Sequence, residues 1–215
     1  MYKPLDRIGI AARIAQDIPE GWFVNLGIGI PTAVSDFVPE DREVIFHGEN
    51  GVIGIGPAPA LGSENPYLVN AGTQPITIRT GGAYVHHADS FAIARGGHLD
   101  LCVLGAFEVA ENGDIANWAR SPHEPVKQVG GAMDLAVGAQ RLWVAMEHNT
   151  KAGGGSRIRR VCSYPLTAKG AVRRVYTDLA VLDVTPAGFV VRDMVAGLTF
   201  EALQDRTEAR LLREG

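Results

Sequence analysis

Two segments of this chain, Leu99–Phe107 and Arg141–Met146, are almost entirely apolar. Short runs of this kind are expected of strands covered on both faces, as in parallel sheets flanked by helices. Segments with helical spacing alternate with them. Ile8, Ala11, Ala12, Ile14, Ala15 and Ile18 form one apolar stripe, ended by Pro19-Glu20-Gly21. Trp22–Leu26 reads as a short strand, and Pro31 suits the first position of a helix through Phe37. Val44–Phe46 and Pro75–Thr80 read as strands, with 58–67 a polar loop between them. Asp89 or Ser90 is placed to cap a helix over Phe91–Arg95, closed by Gly96-Gly97, and Ala132–Val137 is the next helix. Turns are expected at 111–114 and 151–156. Further strands are expected over Arg157–Cys162 and Arg173–Val184, with a short helix near Thr167–Val172, then a strand over Phe189–Val195 and a last helix from Phe200 to Asp205. The alternation predicts an α/β fold: an open, largely parallel, Rossmann-like sheet with flanking helices, as one domain over 1–215.

Composition narrows the function. The chain has 215 residues, 46% of them hydrophobic, enough for one sizeable core. Its net charge is −4 and no basic stripe is present, which argues against a nucleic-acid partner. No apolar run approaches the roughly 20 residues that span a bilayer, and the N-terminus has no signal-peptide pattern. Cys102 and Cys162 lie far apart and read as reduced thiols, so a cytoplasmic location is expected.

The sharpest local signal is His47-Gly-Glu-Asn-Gly-Val-Ile-Gly-Ile-Gly-Pro57. Glu49 follows a strand and precedes Asn50-Gly51, a pair that favours a tight turn. Such a carboxylate is either an ordinary solvated turn residue or a reacting group at a strand end. Ligands of open α/β sheets bind beyond the strand carboxyl ends, and Gly27–Pro31, Glu49 and Gly130-Gly131 all fall there.

Other chemistries are poorly supported. Gly27-Ile-Gly29-Ile-Pro31 has Thr32 where a dinucleotide fingerprint has its third glycine. Its glycines either admit a ligand to the backbone or pack closely against a neighbour. His86 and His87 are expected to point to opposite faces of a strand, and no metal-ligand spacing accompanies them. No G-x-S-x-G nucleophile elbow is present. Glu147, at the end of a buried strand, reads as a supporting or interface residue more than a catalytic one.

The run from Glu49 to Pro57 resembles the active-site signature of the class I coenzyme A transferases, in their B (β) chain. Asn25-Leu-Gly-Ile-Gly-Ile-Pro31, Ala88-Asp-Ser-Phe91, Arg95-Gly-Gly-His98, Gly113-Asp-Ile-Ala-Asn-Trp118, Gly130-Gly-Ala-Met-Asp134, Met146-Glu-His148 and Tyr164-Pro-Leu-Thr167 are similar to that family too, in the same order. The resemblance implies a sugar-isomerase-like α/β fold and a separate A (α) subunit, in an α2β2 complex outside which this chain is inactive. It implies acyl-CoA thioesters and small carboxylic acids as substrates, with no tightly bound cofactor and no metal. Glu49 would be the nucleophile that forms a glutamyl-CoA thioester in ping-pong transfer. The Gly130-Gly131 backbone, chiefly the Gly131 N–H, would supply one oxyanion donor, and the α subunit would supply the other. Asn25, Gly27 and Gly29 would line the pantetheine channel, with Asn50 and Gly51 as further coenzyme contacts.

Two positions depart from the family pattern. Gly48 stands where a serine usually precedes the glutamate, and Thr73 where a lysine usually follows Asn70-Ala-Gly72. The segments 80–91 and 176–186 look more like 3-oxoadipate enzymes than acetoacetate enzymes, so succinyl-CoA:3-oxoadipate transfer is the expected reaction and acetoacetate or another short acid the alternative. A rival from another class is a non-catalytic scaffold or binding subunit on the same fold. A sugar-phosphate isomerase would need a cluster of cationic phosphate ligands at the strand ends, which the sequence lacks.

Overall fold

The computed structural model of the chain describes residues 2–39, 41–121, 129–151 and 154–214. Helix α1 (Arg7–Asp17) leads to β1 (Phe23–Leu26), a 3-10 helix (Pro31–Phe37), and the hairpin of β2 (Ile45–Gly48) and β3 (Val52–Ile55). Then come β4 (Ile78–Tyr84), α2 (His87–Arg95), β5 (Leu101–Gly105), β6 (Glu108–Ala110), β7 (Ile115–Ala116), α3 (Ala132–Gly138), β8 (Leu142–Ala145) and β9 (Ile158–Arg159). The chain continues through β10 (Val172–Tyr176), β11 (Ala180–Thr185), β12 (Gly188–Met194), α4 (Phe200–Gln204) and β13 (Leu211–Arg213).

Ten strands form one sheet in the order β13-β12-β11-β10-β8-β5-β1-β2-β3-β4. Its centre, from β10 to β2, is parallel throughout. Antiparallel pairs extend it on both sides, β3 and β4 at one flank and β11 and β12 at the other, with β13 parallel to β12 at that edge. The parallel expectation therefore holds for the middle of the sheet. β6, β7 and β9 make a separate small sheet.

The apolar central strands divide their side chains between two cores, because successive residues point to opposite faces. Leu101, Val103, Trp143 and Ala145 pack with Ile10, Ile14 and Ile18 of the α1 segment and with Val34. Cys102, Leu104, Leu142 and Val144 pack with Ala94, Leu135, Ala136 and Leu203 from the helices of the other face. Asp6 starts α1 by accepting the Gly9 N–H at 2.7 Å, which satisfies one donor that a helix start leaves unpaired.

Several local expectations give way to tertiary contacts. Residues 31–37 wind as 3-10, not α. The strand expected over Arg173–Val184 folds back on itself as β10 and β11, because the Thr177 hydroxyl accepts the Leu179 and Ala180 N–H groups and turns the chain. No helix forms at 167–172. There the Thr167 N–H donates to the Ile115 carbonyl at 2.7 Å, and Asp114 accepts the Gly170 N–H. The strand expected over Arg157–Cys162 shrinks to β9, and β3 and β13 were not expected. His86 caps α2 through Nδ1, in place of Asp89 or Ser90. The two histidines thus begin a helix and do not alternate across a strand. Of the turn expected at 151–156, residues 152 and 153 lie outside the described residues. Among the described residues, no helix is long and apolar enough to cross a membrane. Both cysteines are free.

His148, just beyond β8, is fully buried. Its Nε2 lies 2.8 Å from Thr207 Oγ1, whose own proton goes to the Leu203 carbonyl, so the ring N–H donates there. Nδ1 faces Thr177 Oγ1 at 3.0 Å, and that oxygen already accepts two backbone N–H groups. A second ring proton would find no acceptor. Burial, together with Arg206, pushes the His148 pKa down to about 4 from an ordinary 6.5. The unfolded chain therefore binds a proton that the native chain refuses between these values. Stability is full above pH 6.5 and falls as pH drops toward 4, by about 3 kcal/mol in total. Urea unfolding should show His148→Gln less stable at pH 7 but with a shallower loss from pH 6.5 to 4; an unchanged slope would remove His148 as its source.

Candidate active site

A cleft of about 1030 Å³ opens where the central strands end. Gly27–Ile30 enter it from the end of β1, Glu49 from β2, Ala106 and Phe107 from β5, and Met146 and Glu147 from β8. Gly130 and Gly131 reach it from the start of α3. One sheet edge thus gathers segments that are distant in sequence, as expected at the carboxyl ends of parallel strands.

Glu49 sits on the β2–β3 turn, directly after the end of β2. The turn is held by the residues that flank Glu49. The Gly48 carbonyl accepts the Gly51 N–H at 3.0 Å. The Asn50 amide donates to the Val69 carbonyl at 2.8 Å. Gly51, at φ +102°, lies against the Val85 carbonyl where no side chain fits, and the Val85 N–H returns a bond to the Gly51 carbonyl. Asn50 and Gly51 shape this turn and do not line the cleft.

The Glu49 carboxylate is half-buried, and burial raises its pKa above the ordinary range, with His87 opposing the rise. Gly131 comes up to it directly. A Cβ on Gly131 would stand 2.5 Å from Glu49 Oε2 and 2.6 Å from Phe91 Cζ. The carboxylate therefore occupies space that any other residue at 131 would fill. Helix α2 backs this contact with His87, Phe91 and Arg95, spaced on one helical face. Arg95 then grips Asp134 of α3 through two hydrogen bonds of 2.8 and 2.9 Å.

The other expected residues divide by role. Gly27 is a packing glycine, since a Cβ would stand 3.0 Å from Leu104 and 3.1 Å from the Val103 carbonyl. Gly29 faces open space in the cleft. Asn25 reaches the cleft wall, but it is 2% exposed and its amide nitrogen is bonded to His47. Glu147 lines the cleft in ion pairs with Arg157 at 3.7 Å and Lys151 at 3.9 Å. Arg120 adds a cation over the Phe107 ring. At Gly48, a Cβ would meet Asn50 Oδ1 at 2.6 Å, so a serine there requires the Asn50 amide to shift. Thr73 is held at φ +64°, an unfavourable region for a β-branched residue, in a loop closed by the Asn70 side chain on the Gly72 and Gln74 N–H groups. Among the described residues, no His, Cys, Asp and Glu group is placed to hold a metal ion.

Sequence reasoning gave His47, Ser90 and Phe91 no role around Glu49; His47 and Ser90 lie beneath its turn, and Phe91 packs on Gly131. The adjacency of His47 to Gly48-Glu49 was a usable signal, whereas Ser90 and Phe91 are 41 and 42 positions further along the chain and only the fold brings them in.

The strand-end cleft thus holds a half-buried carboxylate on a hydrogen-bonded turn, faced by glycine backbone. The family model for coenzyme A transferase matches residues 8–202, and the chain belongs to that family. It is 51% identical over 211 residues to the B chain of 3-oxoadipate CoA-transferase from Acinetobacter baylyi, covering 98% of this chain and 97% of that protein. It is 43% identical over 203 residues to the B chain of succinyl-CoA:3-ketoacid coenzyme A transferase from Helicobacter pylori, covering 94% and 97%. Among solved structures, an acyl-CoA transferase (YdiF) from Escherichia coli O157:H7 shares the fold at a TM-score of 0.76 and 17% identity; all of this chain matches 43% of that longer chain. Glutaconate coenzyme A-transferase from Acidaminococcus fermentans matches at a TM-score of 0.71 and 16% identity, over 98% and 87%.

Gly131→Ala should place a methyl group where the carboxylate stands, lowering transfer on the order of 100-fold with unchanged circular dichroism. Gly130 has φ +63° but no neighbour within 4 Å of a Cβ, so Gly130→Ala should strain the backbone and cost less activity. Equal losses in steady-state assays would show that contact with Glu49 is not what position 131 protects.

Proposed function

We propose that this chain is the β subunit of a two-subunit, cytoplasmic CoA-transferase that moves CoA from succinyl-CoA to a 3-oxo acid, with 3-oxoadipate as acceptor. The observation that carries the reading is the Glu49 carboxylate, half-buried on a fixed turn against Gly131 at the mouth of the strand-end cleft.

Partial burial strips water from the carboxylate and makes its ionised form a better nucleophile. Glu49 attacks the thioester carbonyl of succinyl-CoA. CoA thiolate leaves, and a mixed anhydride of Glu49 and succinate forms. The thiolate attacks the glutamyl carbonyl of the anhydride, releasing succinate and leaving a Glu49–CoA thioester. The carboxylate of the 3-oxo acid attacks that thioester, and the thiolate then attacks the acyl carbonyl of the new anhydride, freeing Glu49. Every step passes through an oxyanion, and the Gly131 N–H is the donor this chain offers. An α subunit, in an α2β2 complex, supplies the second. CoA thioesters enter as substrates, and no resident cofactor is needed.

The 51% identity to the B chain of a 3-oxoadipate CoA-transferase supports the acceptor. The 43% identity to the B chain of a succinyl-CoA:3-ketoacid transferase keeps acetoacetate as the second reading.

The test is intact mass of the complex with its α subunit after mixing with succinyl-CoA and acid quench. The chain should gain one CoA, absent in Glu49→Ala and discharged by 3-oxoadipate. Discharge by acetoacetate alone would replace the acceptor; normal transfer by Glu49→Ala would remove Glu49 as nucleophile. The raised Glu49 pKa adds a pH signature. Only the ionised carboxylate attacks, so CoA loading should fall as pH drops through a value above the ordinary 4.5. A protonated His87 lowers the Glu49 pKa. His87→Gln should therefore move this acid limb to higher pH, and a shift the other way would contradict the assignment.

A further inference from the structure

The turn that carries Glu49 rests on a row of buried polar groups for which the transfer chemistry has no use. Asn25, His47 and Ser90 are all at most 2% exposed. The Asn25 amide nitrogen lies 3.0 Å from the His47 carbonyl and 3.0 Å from His47 Nδ1. The carbonyl requires a donor, which fixes the orientation of the amide. An amide NH2 has no acceptor capacity, so His47 Nδ1 must be the acceptor and the ring proton must sit on Nε2. Nε2 is 2.9 Å from Ser90 Oγ, and the Ser90 hydroxyl passes its own proton to the Gly48 carbonyl at 3.0 Å. The Cys102 thiol completes the row at Asn25 Oδ1. Every donor and acceptor is satisfied with one ring tautomer and one bond direction, an arrangement that stiffens as a unit.

The row ends on the catalytic turn. The Gly48 carbonyl and the Glu49 N–H belong to one peptide plane. That carbonyl receives Ser90 on one side and the Gly51 N–H on the other, so both of its lone pairs are engaged. Rotating the plane to swing Glu49 away from Gly131 would break both bonds at once.

We propose that His47, with Asn25 and Ser90, is a positioning unit that locks the Gly48–Glu49 peptide and so aims the Glu49 carboxylate at the reacting carbonyl. It rests on the reading of Glu49 as nucleophile. His47 touches neither substrate nor the reacting atoms; it acts through Ser90.

The rate of CoA loading by rapid-quench intact mass, in the complex assembled with its α subunit, tests this. Wild type must load first; failure there overturns the reading of Glu49 and this proposal with it. His47→Ala and Ser90→Ala should each load on the order of 100-fold more slowly, still reach one CoA per chain, and leave the KM for succinyl-CoA unchanged. The double variant should be no slower than the slower single one, since the residues act in series. His47→Gln, which offers an acceptor to Asn25 and a donor to Ser90, should recover most of the rate. Should His47→Ala not fold, Ser90→Ala decides alone. Wild-type loading rates in the single variants, losses that multiply in the double variant, or a loss confined to final occupancy would each overturn the proposal.

Discussion

Holding a carboxylate half out of water is costly, and it is tolerated only where the surrounding backbone leaves the side chain nowhere better to go. In this chain the constraint is the contact of Glu49 with Gly131, which the edge of Phe91 also approaches. Much of the local structure follows from it. Helices α2 and α3 must lie close enough to bring Phe91 and Gly131 together, and Arg95 with Asp134 ties them. Gly138 lets α3 approach the backbone of Ala94, since a Cβ there would collide with it. The β2–β3 turn must be rigid, and Gly51 under Val85 with the Asn50 amide on Val69 makes it so.

The sheet sets the distances over which this works. Its five central parallel strands bring four strand ends to one edge, so one cleft collects the loops after β1, β2, β5 and β8. The two apolar cores bind that platform from above and below. On the α1 face, Asp17 accepts the Tyr176 hydroxyl at 2.8 Å and pairs with Arg174, joining the helix to the far side of the parallel strands. Polar groups inside these cores, such as Asn25, His47 and His148, survive because each finds partners for all its ring or amide atoms.

Much of this was legible from local pattern. Continuous apolar runs pointed to doubly covered strands, and Leu101–Gly105 and Leu142–Ala145 are the centre of the sheet. Of the expected stripe, Ala11, Ile14, Ala15 and Ile18 are the buried face of the α1 segment, joined there by Ile10, whereas Ile8 is exposed and Ala12 only partly buried. Asn50-Gly51 pointed to the turn, and the Glu49 and Gly130-Gly131 motifs to the candidate reacting groups. Expectations failed where distant groups competed for the backbone. The Thr177 hydroxyl bends what reads as one long strand into two, and pairing of Thr167 with Ile115 replaces a helix. Short flanking strands such as β3 and β13 carry little periodic signal, because a four- or three-residue strand offers too few alternations to read.

The sequence by itself determined the α/β layering, the carboxylate at a strand end, and the glycines able to approach it, because these depend on hydrophobic periodicity and on residue chemistry. Tertiary structure alone decided that Gly131 would meet both Glu49 and Phe91, and that Ser90 would meet His47 and Gly48 from 43 and 42 residues away. It also decided that Asn25 would bond His47 and not face the cleft freely. Those outcomes turn on strand order and helix approach, and no local pattern in a chain encodes which distant side chain will arrive at a given hydrogen bond.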